Sequence, residues 1–91
     1  MSEKMEFEVL DQSSNAVVVR HPERRYPGIL VQGDTLKVLL DDLVEISESI
    51  ANADYDSASQ GSAFVIERLE TLVAHYERVL QGHGIELPYV R

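Results

Sequence analysis

RRYPGILVQGDTL, residues 24–36, contains the point at which the chain changes its hydrophobic period. Before it, apolar residues alternate or run together in short β-branched stretches; after it they recur every three or four positions. Pro27-Gly28 supplies a turn, and ILVQ, about 29–32, has the length of a short strand. Gly33-Asp34-Thr35 then reads as a helix entry. Asp34 or Gly33 is the expected N-cap, with the Asp34 carboxylate complementing the helix dipole.

Working towards the N-terminus, MEFEVL alternates and places Met5, Phe7 and Val9 on one face, with Glu6 and Glu8 on the other. That is the pattern of a half-buried strand over about 5–10. DQSSN carries turn chemistry, and AVVVR makes a second β-branched strand over about 15–20. The two form a β-hairpin, while the place of the third strand in the sheet stays open.

Towards the C-terminus, a helical wheel centred on Leu43 gathers Leu36, Leu39, Leu40, Ile46 and Ile50 within about 60 degrees, which predicts a helix over about 35–53. ANADYD ends it. Ala58, Ser62, Val65, Ile66, Leu69, Leu72, Val73, Tyr76 and Leu80 then share a face of a second helix over about 56–81, with Gly82 and Gly84 as stops. Ala58, Gly61 and Ser62 are small where two antiparallel helices joined by a short loop approach most closely. The expected architecture is α+β, a small antiparallel sheet packed by a two-helix hairpin, in the order β-β-(β)-α-α within a single domain, residues 1–91. The tail, residues 83–91, alternates Ile85, Leu87 and Tyr89 and is expected against the sheet edge, against the helix ends or frayed.

Composition limits the function. The 91 residues contain no cysteine, so disulfide and thiol chemistry are excluded. The N-terminus lacks the apolar run of a signal peptide, and no stretch has the ~18 consecutive apolar residues of a membrane span, so a soluble, non-exported protein with no membrane partner is expected. The net charge is −8, and its one basic island is residues 20–33, with three arginines against Glu23. That balance argues against nucleic acid, whose phosphates demand Lys and Arg.

Catalytic and metal-binding patterns are missing. His21, His75 and His83 fall in a loop, on a polar helix face and in a glycine-rich helix end, with no reason to converge. Leu72 stands where a helical metal site would need Glu before His75, and no nucleophile elbow, phosphate loop or dinucleotide fingerprint occurs. No cofactor is expected, and an enzyme is the minority reading.

Surfaces carry more signal. Asp41, Asp42, Glu45 and Glu48 line the outer side of the first helix, where Asp41 and Glu45 are like charges four residues apart. A basic partner would relieve them, although a solvated face is the commoner reason for such a run. Arg24, Arg25 and Tyr26 place cationic and aromatic groups in one loop, suited to a carboxylate-bearing partner. The competing reading of that loop is backbone punctuation, with the arginine stems packed on Tyr26.

Val38 and Phe64 fall off the core stripes, and an exposed phenylalanine suggests contact with another chain or with the tail. A second helix of this length extends roughly 39 Å, against about 20 Å for a six-residue strand, so part of it overhangs the sheet. Its distal stripe, Val73, Tyr76, Val79 and Leu80, then needs cover. A homodimer using these residues and Phe64 is expected; in a monomer, Ile85, Leu87 and Tyr89 would take that place.

The segment YPGILVQGDTL, with the leucine-rich helix after it and LETLVAHYERVL further on, resembles a family of small bacterial proteins classed as a domain of unknown function. The resemblance covers most of the chain and implies a bacterial origin and cytoplasmic residence. It brings no catalytic residues. The expected function is a non-enzymatic interaction module of the regulator, adaptor or toxin-immunity type with an unidentified protein partner; the alternative is a small-molecule-binding domain or minor enzyme with its site beside the arginine loop.

Overall fold

The computed structural model describes residues 2–11 and 16–91. The fold is α+β: three strands, β1 (Glu8–Val9), β2 (Ala16–Arg20) and β3 (Gly28–Val31), precede two helices, α1 (Gly33–Ala51) and α2 (Tyr55–Gly82). The strands form one antiparallel sheet in the order β1-β2-β3. Of the DQSSN turn, residues 12–15 lie outside the described residues.

Two compact units emerge, one made of Met1–Val31 with Ala74–Arg91, the other of Gln32–Val73. The first holds the sheet, the last turns of α2 and the tail. Its core is Val18, Tyr76 and Leu80, with Leu10, Ile29, Val79, Ile85 and Leu87 packed around them. Val18 and Leu80 have no exposed surface at all. Register explains which strand residues join. Val18 pairs with Ile29, and the Leu10 N–H donates to the Val18 carbonyl at 2.9 Å, so these three share the inner face.

That register corrects the expected parity of the first strand. Leu10 is the inward residue, whereas Phe7 and Val9 are 44% and 49% exposed on the other face. Period-2 alternation specifies which residues share a face but not which face is buried. The paired part of the strand is also shorter than the expected 5–10, only Glu8 and Val9 opposite Arg20 and Val19.

The end of α2 is set by Gly84, at φ +68. Ile85 N–H donates to the Leu80 carbonyl and Gly84 N–H to that of Gln81, the paired bonds of a Schellman motif. This turns Ile85 and Leu87 back onto Leu80. The tail is then held by Glu77, which accepts a hydrogen bond from the Tyr89 hydroxyl at 3.0 Å and pairs with Arg91 at 3.3 Å.

In the second unit α1 starts slightly earlier than the sequence suggests. Gln32 occupies the N-cap position, its carbonyl accepting from Leu36 N–H. Asp34 lies in the first turn instead, where its carboxylate still meets the positive end of the dipole and accepts from Thr35 N–H. Asn52 closes α1, Ala53 adopts φ 58, and Asp54 caps α2 by accepting from Ser57 N–H at 3.2 Å. The helices meet closely at Gly61, where a Cβ would stand 2.9 Å from Cγ1 of Ile46. Leu39, Ala58 and Val65 are buried.

Two outcomes are expected. Ala53→Gly removes the steric cost of a left-handed alanine, so urea denaturation should show a gain of about 1 kcal/mol. Gly61→Ala should fail to deliver the ~1 kcal/mol of added helix propensity and should destabilise the chain, because β-branched Ile46 is stiff. In an Ile46→Ala background the same change becomes favourable, giving a coupling on the order of 1–2 kcal/mol in a double-mutant cycle.

Candidate functional site

The arginine loop is built as structure. The Tyr76 hydroxyl donates to the Pro27 carbonyl at 2.6 Å, and Pro27 itself is buried. The Pro-Gly turn thus gives α2 a buried acceptor. Arg24 N–H donates to the His21 carbonyl at 3.0 Å, and His21 Nδ1 accepts from Glu23 N–H at the same distance. The His21 ring packs edge-on against Phe7, and the Arg25 guanidinium lies 5.1 Å from the Tyr26 ring centre, a cation–π distance. Both arginine side chains remain exposed.

The other histidines also tie chain segments together. His75 was expected on a polar helix face, but it is largely buried, with Nε2 2.6 Å from Oδ2 of Asp11. A carboxylate only accepts, so Nε2 carries the hydrogen. His83 Nε2 lies 2.9 Å from the neighbouring Leu10 carbonyl. Histidines eight residues apart therefore clasp two consecutive residues of the N-terminal segment, a long-range pairing without a sequence signature. No cluster of potential metal ligands forms among the described residues, and no helix there is long and apolar enough to cross a membrane.

On the hairpin the acidic residues separate. Asp41 pairs with Lys37 one turn earlier. Asp42, Glu45 and Glu48 instead line an open groove of ≈ 560 Å³, together with Asp54, Phe64 and Arg68. Phe64 is 66% exposed and stands beside carboxylates, not on an apolar stripe. Of the other residues expected to self-associate, Tyr76 and Leu80 are filled from within the chain, Val79 packs beside them, and Val73 is exposed.

The opposite side of the hairpin has a different character. Residues two apart on a helix project to nearly opposite sides. Leu40 and Leu43 are thus opposed to groove residues Asp42 and Glu45, and Ile66 to Phe64 and Arg68. Leu36, Leu40, Leu43, Val44 and Ile50 from α1, with Ile66, Leu69 and Val73 from α2, are between 46% and 65% exposed. Leu36, Leu40, Leu43 and Ile50 follow heptad spacing, as do Ile66, Leu69 and Val73. The helical wheel assigned Leu36, Leu40, Leu43 and Ile50 to the core with Leu39 and Ile46, but only Leu39 is buried and Ile46 half-buried. The available signal was the width of the apolar arc on α1, greater than one neighbouring helix can cover.

The geometry defines a small α+β protein whose helical hairpin separates an acidic groove from an apolar face. Residues 2–89 match the family of unknown function DUF6959, to which the chain belongs. No curated protein and no solved structure matches it.

Tyr76→Phe is expected to cost about 1–2 kcal/mol by urea denaturation, since it strands a buried carbonyl. Burial raises the Tyr76 pKa above its usual value. The folded chain therefore keeps a proton that the unfolded chain releases near pH 10, so this contribution is whole below about pH 10 and is lost as pH rises through the raised value. Tyr76→Phe should flatten the alkaline decline in stability. A further part should persist from Tyr89, raised by burial and by its bond to Glu77.

Proposed function

We propose that the protein is a non-enzymatic interaction module whose working surface is the helical hairpin. The observation that carries this reading is the apolar face: eight large aliphatic side chains remain roughly half exposed on one side of two packed helices. Patches on ordinary monomers run to about 300–600 Å², and larger ones mark contact surfaces. The acidic groove on the other side supplies a second surface, suited to a basic or amide-rich partner segment. A regulator, adaptor or toxin-immunity role fits such a pair of surfaces. The setting that goes with it is the bacterial cytoplasm, a reading supported by the family resemblance of the YPGILVQGDTL segment.

The alternative is a ligand site beside Arg24, Arg25 and Tyr26. It has less support, because the Pro27 carbonyl is already used by Tyr76 and the Arg25 guanidinium faces Tyr26.

The test pairs two variants in affinity capture from the native host with quantitative mass spectrometry. Leu43→Glu with Ile66→Glu is expected to abolish a saturable complex, whether with another chain or with a further copy of this one. Arg24→Ala with Arg25→Ala should leave it intact. Loss of binding only in the arginine variant, or a thermal shift of the wild type with a metabolite that the arginine variant lacks, would favour the alternative.

A further inference from the structure

We infer that the occupant of the hairpin's apolar face is the same face of a second copy, giving a two-fold four-helix bundle. This rests on the reading of the hairpin as an interaction surface and names its partner. Three observations select self-pairing.

Spacing is the first. Each helix contributes one heptad-spaced seam, Leu36-Leu40-Leu43-Ile50 and Ile66-Leu69-Val73, and two antiparallel helices with adjoining seams form half of a bundle core. A two-fold axis through the face sets each seam against apolar residues of the other copy.

Area is the second. Eight aliphatic side chains, each about half exposed, offer on the order of 700 Å², close to the roughly 800 Å² per partner of a standard stable interface. No further surface has to be recruited.

Charge is the third. A chain of net charge −8 repels its own copies unless the contact excludes carboxylates. Asp42, Glu45, Glu48 and Asp54 all line the groove on the opposite side, and Glu70, four residues after Ile66 and three before Val73, flanks the α2 seam at its margin. Pairing through the apolar face turns both acidic grooves outward, whereas pairing through Phe64 would bring them together. The chain's own sheet cannot offer its inner face, which Tyr76 and Leu80 already fill.

Sedimentation equilibrium from 1 to 200 μM tests the assignment. The wild type is expected at twice the 10.2 kDa chain mass, Leu43→Glu at the monomer mass with its helical circular dichroism retained, and Phe64→Asp still at the dimer mass. Because the chain has no cysteine, Leu40→Cys provides a second readout that does not depend on a destabilising charge. Mild oxidation should give disulfide-linked dimers in at least tenfold excess over those from an Asp41→Cys control. A wild-type monomer mass up to 200 μM overturns the inference, as does a dimer lost with Phe64→Asp but kept with Leu43→Glu. Thiol labelling of the Leu40→Cys chain under reducing conditions, measured against the Asp41→Cys control on such a monomer, separates the two failures. Labelling slowed at least tenfold at position 40 means that the chain covers its own face, and the interaction reading fails as well. Equal labelling at both positions means that the face is open to a different partner, and only self-pairing fails.

Discussion

Packing of Val18 against Tyr76 and Leu80 is the interaction on which the sheet-bearing unit depends. Val18 is the middle residue of the middle strand, and Leu80 comes from the last turns of the final helix. Neither retains exposed surface. The cluster is small, so its polar edge matters. Tyr76 places an apolar ring in the core and sends its hydroxyl to the Pro27 carbonyl, 49 residues away in sequence. One side chain thereby closes the core and fixes the turn between the second and third strands. The Schellman turn at Gly84 adds Ile85 and Leu87 to the same cluster, so the helix terminus and the tail close it from the other end.

Around that cluster, the polar contacts of the described residues serve attachment more than chemistry. His75 meets Asp11, His83 meets the Leu10 carbonyl, and Glu77 holds Tyr89 and Arg91. Each joins segments far apart in sequence or fastens a chain end. For a chain of 91 residues this is a physical necessity, because a small domain buries a limited fraction of its surface and gains from every long-range tie. The arginine loop fits the same logic. Its backbone is bound to His21 and Tyr76, which leaves the side chains of Glu23, Arg24 and Arg25 as its exposed charges.

What the sequence made legible follows from local rules. The change of period at Gly33, the close approach at Gly61 and the stop at Gly84 each rest on backbone or steric constraints that act within a few residues. The N-cap was misplaced because Asp34 satisfies the dipole equally well from inside the first turn. Strand parity at Phe7, Val9 and Leu10 was illegible, since it depends on which face of the sheet meets α2. The His75–Asp11 contact was illegible for the same reason: 64 residues separate the partners, and nothing in either local pattern points to the other.

The hairpin face differs from these, because its signal lies in the sequence, in the width of the apolar arc on α1. At 100 degrees per residue, the apolar positions of α1 from Ile46 through Leu39, Leu43 and Leu36 to Leu40 and Val44 cover an arc of about 160 degrees. A helix resting on one neighbour needs about 100 degrees. α2 takes the part of the arc at Leu39 and Ile46, and its own outward seam at Ile66, Leu69 and Val73 extends the remainder into one surface. Four carboxylates, Asp42, Glu45, Glu48 and Asp54, line the groove on the other side with Gly61 and Phe64, while Glu70 flanks the α2 seam one turn from Ile66 and Val73. An apolar arc wider than one helix can cover is the pattern of a hairpin with two neighbours: one helix of its own chain at Leu39, and a second surface at Leu40 and Leu43.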